Sequence, residues 1–249
     1  MEQLQHHLEE IVENTRAKDS TILTVTGSGS SIVTIYEQPI KLDRKRHYQL
    51  ALLNLETYYS FPNIDETNNK FQFRKNGTDD WQTVEIPIGC YEITAINRQF
   101  TQRVKSKDIQ VLGNLNTLQC ELRINGTFEI NFDIADSLRT VLGFEAKTYK
   151  KGIHISENLV NILRVNSVFV HTDIIEGSYH QGRMQPIIYS FFPDVSPGEK
   201  IIQVQENLVY AHVTTDTIYR MTTWLTDQDS KKLDLRGETL TIRFHLREC

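Results

Sequence analysis

Apolar residues recur along this chain at two different spacings, and the change falls near residue 20. From Gln3 to Lys18, Leu4, Leu8, Ile11 and Val12 follow a helical period, and Glu9, Glu10 and Glu13 take the other faces. The pattern predicts an N-terminal helix. About four turns with so few apolar side chains are marginal alone, so the segment reads as an arm that docks on a neighbour or as a frayed terminus. From Thr21 onward the pattern is that of strands. Thr21 to Thr26 and Ser31 to Tyr36 are β-branched runs either side of Gly27-Ser28-Gly29-Ser30, a hairpin or a bend between strands. His47 to Tyr59 predicts a long strand, with Tyr48, Leu50, Leu52 and Leu55 interleaved. Phe71 to Arg74 alternates apolar and polar, so one face is buried.

Asn76-Gly77 suits a tight hairpin leading to Trp81 to Ile86, because both turn residues must accept positive φ. Cys90 to Val104 predicts a helix with Ile93, Ile96, Phe100 and Val104 on one face. Leu118 to Ile124 and Thr127 to Phe132, joined by Asn125-Gly126, give the clearest hairpin signal. Asp133 is placed to cap a short helix through Leu142, with Gly143 as its stop. The second half is almost purely β: Ser167 to His171, Pro186 to Phe192, Lys200 to Val204, Asn207 to Val213, Thr217 to Leu225 and Thr239 to Leu246. Short strands at regular spacing with turns between them indicate a sandwich or barrel.

Composition narrows the function classes. The chain has 249 residues and 39% hydrophobic residues, which suits a globular protein able to bury a sizeable core. The net charge of −5 argues against general nucleic-acid binding, although Lys41, Arg44, Lys45 and Arg46 cluster. A solvated loop accounts for that cluster. Cys90, Cys120 and Cys249 are too sparse for a disulfide framework and fit a reducing compartment. The polar segment Met1 to Ser20 lacks the apolar core of a signal peptide, and no apolar stretch is long enough to span a bilayer. Asn76-Gly77-Thr78 and Asn125-Gly126-Thr127 match the glycosylation sequon but read as turns.

Catalytic signatures are missing. The chain has no His-Glu-x-x-His, Gly-x-Ser-x-Gly, Cys-x-x-Cys or Gly-x-Gly-x-x-Gly. Of the eight histidines (His6, His7, His47, His154, His171, His180, His212 and His245), His171, His212 and His245 sit within predicted strands and His47 opens one. Strands distant in sequence could gather such histidines around a metal, as in cupin-type enzymes, but no ligand spacing supports it. Asp227, Asp229 and Asp234 fail as a calcium loop, because Lys231 and Lys232 fall where ligand and glycine belong. Turn chemistry explains Asp227 to Ser230. An exposed loop explains Asp234-Leu235-Arg236-Gly237-Glu238. Neither Cys120 nor Cys249 has a base or an electropositive setting that would mark a nucleophile. The expectation is therefore no enzyme, no catalytic residue, no metal and no cofactor.

Five segments in order carry a resemblance. They are Leu50 to Leu53 leading to Tyr58-Tyr59-Ser60-Phe61-Pro62-Asn63-Ile64 and Asn68 to Phe71; Pro87 to Ile93; Leu142-Gly143-Phe144; Phe169 to Ile175 with Gly177-Ser178-Tyr179 and Ile187 to Phe191; and Trp224 to Asp229 with Leu233 to Glu238. Over roughly Tyr48 to Leu246 the chain resembles the minor (penton) capsid proteins of Maverick/Polinton virus-like DNA transposons. The resemblance implies a jelly-roll β-sandwich, and with the patterns above the expected fold is mainly β: a jelly-roll β-sandwich with extra hairpins, two short inserted helices and the N-terminal helical arm. The arm over 1–20 lies outside the segments that carry the resemblance and rests on its helical period; the jelly-roll-type domain runs over 21–249, with an added lobe within 65–145. The resemblance also implies a homopentamer at the vertices of an icosahedral shell, in contact with a double-jelly-roll major capsid protein; the charge and the missing apolar span add the expectation of no specific nucleic acid and no membrane as partner. The product would reside in the virion, made in the cytoplasm or nucleus of the host cell and not secreted. Tyr179, Tyr189 and Trp224 are candidate interface anchors, set against the commoner fate of strand aromatics as core. The same fold also serves carbohydrate- and receptor-binding modules, so a binding module, including a transposon gene retained by its host, is the alternative.

Overall fold

The computed structural model describes residues 18–29 and 31–249. The helix expected from Gln3 lies, apart from Lys18, outside the described residues. In chain order the elements are β1 (Ser20–Ser28), β2 (Ser31–Lys41), β3 (Tyr48–Tyr58), β4 (Lys70–Arg74), β5 (Gln82–Glu85), α1 (Ile93–Val104), β6 (Ile109–Asn114) and β7 (Gln119–Ile124). There follow β8 (Glu129–Asn131), α2 (Arg139–Leu142), β9 (Thr148–Tyr149), β10 (Gly152–Ile155), β11 (Val168–Thr172), β12 (Ser178–His180) and β13 (Arg183–Gln185). The series closes with β14 (Ile187–Phe191), β15 (Lys200–Val204), β16 (Ala211–His212), β17 (Thr217–Thr226) and β18 (Thr239–Glu248). The chain divides into two compact units, one of Met1–Tyr58, Ser167–Asp194 and Lys200–Cys249, the other of Tyr59–Asn166 and Val195–Glu199.

The first unit is a β-sandwich of two antiparallel sheets. Sheet A runs β1-β18-β3-β15, with β16 sharing the free side of β3. Sheet B runs β14-β11-β17-β2. Each sheet turns one row of apolar side chains inward. Leu50, Leu52, Leu55, Ile242 and Phe244 from A, and Val168, Val170, Met221 and Leu225 from B, are fully or nearly fully buried. The step from Leu52 to Leu55 breaks a strict two-residue alternation, and the ladder accommodates it. Phe244 pairs with Leu52 and Arg243 with Asn54, so Leu53 is the extra residue of a bulge. The bulge restores the phase, so Leu55 faces inward again. β1 and β2 enter different sheets, pairing with β18 and β17 respectively. The glycine-rich stretch between them is therefore a bend from one layer to the other rather than a hairpin.

The second unit has its own core. Sheet β5-β4-β8-β9 and sheet β10-β7-β6 bury Phe71, Ile86, Val111, Leu122, Phe132 and Phe144 together with the apolar face of α1. That helix begins at Ile93, three residues later than expected, and buries Ile96, Phe100 and Val104. Phe100 stacks on Phe71 with ring centroids 4.0 Å apart.

Several local expectations fail here for identifiable reasons. Asn76-Gly77 does not form a two-residue hairpin. Neither residue has positive φ, and a turn closed by Asp79 N–H on the Asn76 carbonyl (3.0 Å) lies within a longer loop. Gly126 does sit at φ 65, but the strands it joins separate. β7 pairs with β6 and β10, whereas β8 pairs with β4. The Arg74–Glu129 ion pair (2.6 Å) helps hold β8 there. Asp133 caps nothing, because the chain after it is tied to β4. Lys70 N–H donates to the Asp136 carbonyl and Lys70 Nζ pairs with the Asp136 carboxylate at 2.9 Å. Only one helical turn remains, Arg139–Leu142, stopped by Gly143 at φ 81. The strand expected over Asn207 to Val213 shrinks to Ala211–His212.

Candidate functional site

The strand histidines are not gathered. His171 lies in sheet B, whereas His212 and His245 lie in sheet A. Among the described residues no group of three or more His, Cys, Asp or Glu side chains is close enough to hold a metal ion. His6 and His7 lie outside the described residues. His154 Nε2 sits 2.7 Å from the Lys150 carbonyl, and His47 is exposed. Asp227 Oδ1 accepts the N–H groups of Asp229 and Lys231, both at 2.9 Å, and Asp234 Oδ1 accepts Arg236 N–H at 2.8 Å. Asp227 thus carries the turn chemistry expected of it, and Asp234 makes a local backbone contact of the same kind in its loop. In the basic cluster Arg44 pairs with Asp216, and Arg46 pairs with Asp43 and Glu248. Cys120 is buried, which pushes its thiol up to about 12. Cys249 is exposed and Cys90 donates to the Phe61 carbonyl at 2.9 Å.

The outward face of sheet A is wet and charged. Glu56, Arg243 and Lys200 form an ion-pair chain, with Lys200 Nζ 2.8 Å and Arg243 Nη1 3.2 Å from the Glu56 carboxylate. Those two cations hold Glu56 below the usual carboxylate range. Tyr210 reaches over the same face. Its hydroxyl lies 2.8 Å from His245 Nδ1, and the Arg247 guanidinium sits 3.5 Å above its ring. Ser20 Oγ meets the other nitrogen of His245 at 2.6 Å. Both ring nitrogens of His245 thus have partners.

The outward face of sheet B is dry beside its β12–β13 hairpin, although it stays open toward β2, where Val33 and Ile35 are exposed. The register places His171 opposite Trp224 and Phe169 opposite Thr226. The His171 ring stacks on Trp224 with centroids 5.0 Å apart and planes 10° from parallel. Its Nε2 lies 2.9 Å from Thr226 Oγ1. Although it points away from the core, His171 is only 3% exposed, because the β12–β13 hairpin lies over it. His180 of that hairpin packs on Phe169 at 4.5 Å between ring centroids. The hairpin turns through Gln181 and Gly182, at φ 49 and 76, the positive pair a two-residue turn needs. Its base is tight: a Cβ on Gly177 (φ 93) would overlap the Gln185 carbonyl. Two nitrogens under the cover, His171 Nδ1 and His180 Nε2, are buried without a hydrogen-bond partner. Burial, and secondarily His180, push His171 down to about 4.

The sheet edges complete the surface. β1 and β2 form one side of the sandwich, and Ile22, Val33 and Ile35 are exposed there, Ile35 at 75%. On the other side β14 and the β15–β16 edge flank an open groove of about 530 Å³ lined by Ile187, Tyr189, Val204, Val209 and Tyr210 among others. Val204 is 65% and Ile202 57% exposed. Of the three aromatics expected as anchors, Tyr179 is 75% exposed on the hairpin. Tyr189 and Trp224 are half-buried. No helix among the described residues is long and apolar enough to cross a membrane. The cover and the groove escaped the sequence reading; the Gln181-Gly182 dipeptide between short alternating runs was the available signal.

No protein-family model matches the chain, and no curated protein matches it in sequence. In fold it is similar to a mavirus penton protein, with 12% identity and a TM-score of 0.49, over 93% of this chain and 100% of that one. It is also similar to the D2–D3 domains of the flagellar cap protein FliD from Escherichia coli, with 13% identity and a TM-score of 0.23, over 84% of this chain and 100% of that one.

Proposed function

We propose that this chain is a structural minor capsid protein of the penton kind, whose first unit is a jelly roll that assembles head to tail into a pentamer. The observation that carries the reading is the strand order. Counting β1, β2, β3, β11, β14, β15, β17 and β18 as one to eight, the sheets run 1-8-3-6 and 5-4-7-2. That is the connectivity of two Greek keys rolled into eight strands, an architecture viral capsid and lectin domains use. The ordered sequence segments that resemble Maverick/Polinton penton proteins favour the capsid over the lectin. The proposal takes in the remaining expectations: the arm over 1–20, the domain over 21–249, the major capsid protein as neighbour, residence in the virion, and no catalytic role.

A ring of identical subunits needs two different patches on each copy, because its interface is heterologous. The β1–β2 side, with Val33 and Ile35, and the β14–β15 side, with Val204 and Val209, supply two exposed apolar edges. Uncovered edges of this kind are otherwise a liability.

Light scattering after size exclusion tests the reading. The expected mass is near five times 28.9 kDa, and truncation of residues 1–20 reports whether the arm contributes. Ile35→Lys and Val204→Lys should each dissolve the ring. Mixed together they should give a heterodimer, since one junction between the two variants stays intact. A monomer at all concentrations with no affinity for capsid shells would overturn the proposal, and a trimer would shift it to a receptor- or carbohydrate-binding module.

A further inference from the structure

We propose that the β12–β13 hairpin is an acid-released strap: neutral His171, with His180 of the hairpin beside it, keeps it closed over sheet B, and protonating His171 lifts it and bares Phe169 and Trp224. The inference is independent of the assembly reading. It begins with the geometry of the cover. His171 faces outward yet is almost fully buried, between the Trp224 ring and the hairpin. His180 comes from the hairpin itself and packs on Phe169. One nitrogen on each ring is buried and unpartnered. A proton added to His171 Nδ1 would create a buried N–H⁺ with no acceptor and with a second imidazole as its electrostatic neighbour. Both effects favour opening.

The charged groups on the packed elements do not relieve this. Asp173, just past β11, accepts Thr222 N–H at 2.8 Å. Asp227, just past β17, accepts its own turn N–H groups. Arg183 pairs across the hairpin from His180, and Lys232 bridges to Thr226; both add positive charge. The hairpin is otherwise lightly held, by two long contacts, Gln181 Nε2 to the Gln228 carbonyl at 3.5 Å and Ser178 Oγ to the Ile187 carbonyl at 3.4 Å, and by its tight base at Gly177.

The sign follows from linkage. The closed state holds His171 at about 4, whereas an uncovered imidazole titrates near an ordinary value of about 6.5. The open state therefore binds protons first. The closure contributed by His171 is complete above the ordinary value and is lost as pH falls from there toward 4.

The chain has two tryptophans, so Trp81→Phe leaves Trp224 as sole reporter and Trp224→Phe leaves Trp81 to report on the second unit. Lowering pH from 7.5 to 4 should red-shift Trp224 emission with a midpoint between 4 and 6.5 while Trp81 emission stays constant. The His171→Gln/His180→Gln pair should flatten the Trp224 response. His180→Gln alone removes the electrostatic neighbour of His171 and should move the midpoint down. The proposal is overturned by a flat Trp224 response in the parent, by a response unchanged in the variants, or by Trp224 and Trp81 responding together.

Discussion

The two outward faces of the sandwich solve one problem in opposite ways. Each carries a histidine on a central ladder, His245 on sheet A and His171 on sheet B. On sheet A the ring stays among polar groups, with Ser20 and Tyr210 on its two nitrogens and Arg247 over the tyrosine. On sheet B a hairpin covers the ring, and stacking on Trp224 replaces one of the two hydrogen bonds. The wet face depends on many weak, screened contacts. The dry face depends on a few strong ones, one of them conditional on protonation. A β-sheet face exposed by topology is therefore not committed to solvent throughout; a three-residue strand on each side of a tight turn is enough to dry the patch beside it.

Three substitutions sharpen that contrast. Trp224→Ala removes the floor of the His171 cage and should cost about 3 kcal/mol in urea unfolding, as truncating a packed aromatic does. Gly177→Ala should cost roughly 1–3 kcal/mol, because φ 93 and the Gln185 carbonyl leave no room for a Cβ. Hydrogen exchange should then speed up in β12 and β13 and leave sheet A unchanged; equal change on both faces would break the comparison. Tyr210→Phe on the wet face keeps the ring over Arg247 and deletes only the hydroxyl, so the loss should be about 1 kcal/mol. A loss as large as that of Trp224→Ala would mean that the two faces are not organised differently after all.

How legible all this was depends on the range of the interaction. The long strands announced themselves, since alternation over Phe71 to Arg74 or Thr239 to Leu246 is a local pattern set by one buried face. Even the bulge in β3 was written in the three-residue step from Leu52 to Leu55. Partner choice was not written locally. Asn125-Gly126 gave the turn, but β7 found its neighbour in β6, whose Gly113-Asn114 ending hid it. The two-residue hairpin that does form turns at Gln181-Gly182, a dipeptide with weaker turn preference than Asn-Gly. For the site, His171 stood out as a strand histidine. Its counterpart His180 did not, because a three-residue strand carries too little periodicity to register. The basic cluster at 41–46 looked free in sequence only because Asp216 and Glu248 lie far along the chain.

Sheet order also sets a timetable for synthesis. β18 lies between β1 and β3, and β17 lies between β11 and β2. A chain emerging from the ribosome has β1, β2 and β3 in hand long before either central strand exists, so neither sheet can zip up until residues 217–248 are out. The second unit, drawn mostly from the contiguous stretch 59–166, can gather much of its core well before that. Throughout that interval β1 and β2, with Ile22, Val33 and Ile35 among their side chains, lack their sheet partners β18 and β17. Crowding of nascent chains should then be the step at which this protein is most prone to aggregate, and slower translation of the 217–248 segment should lower its soluble yield.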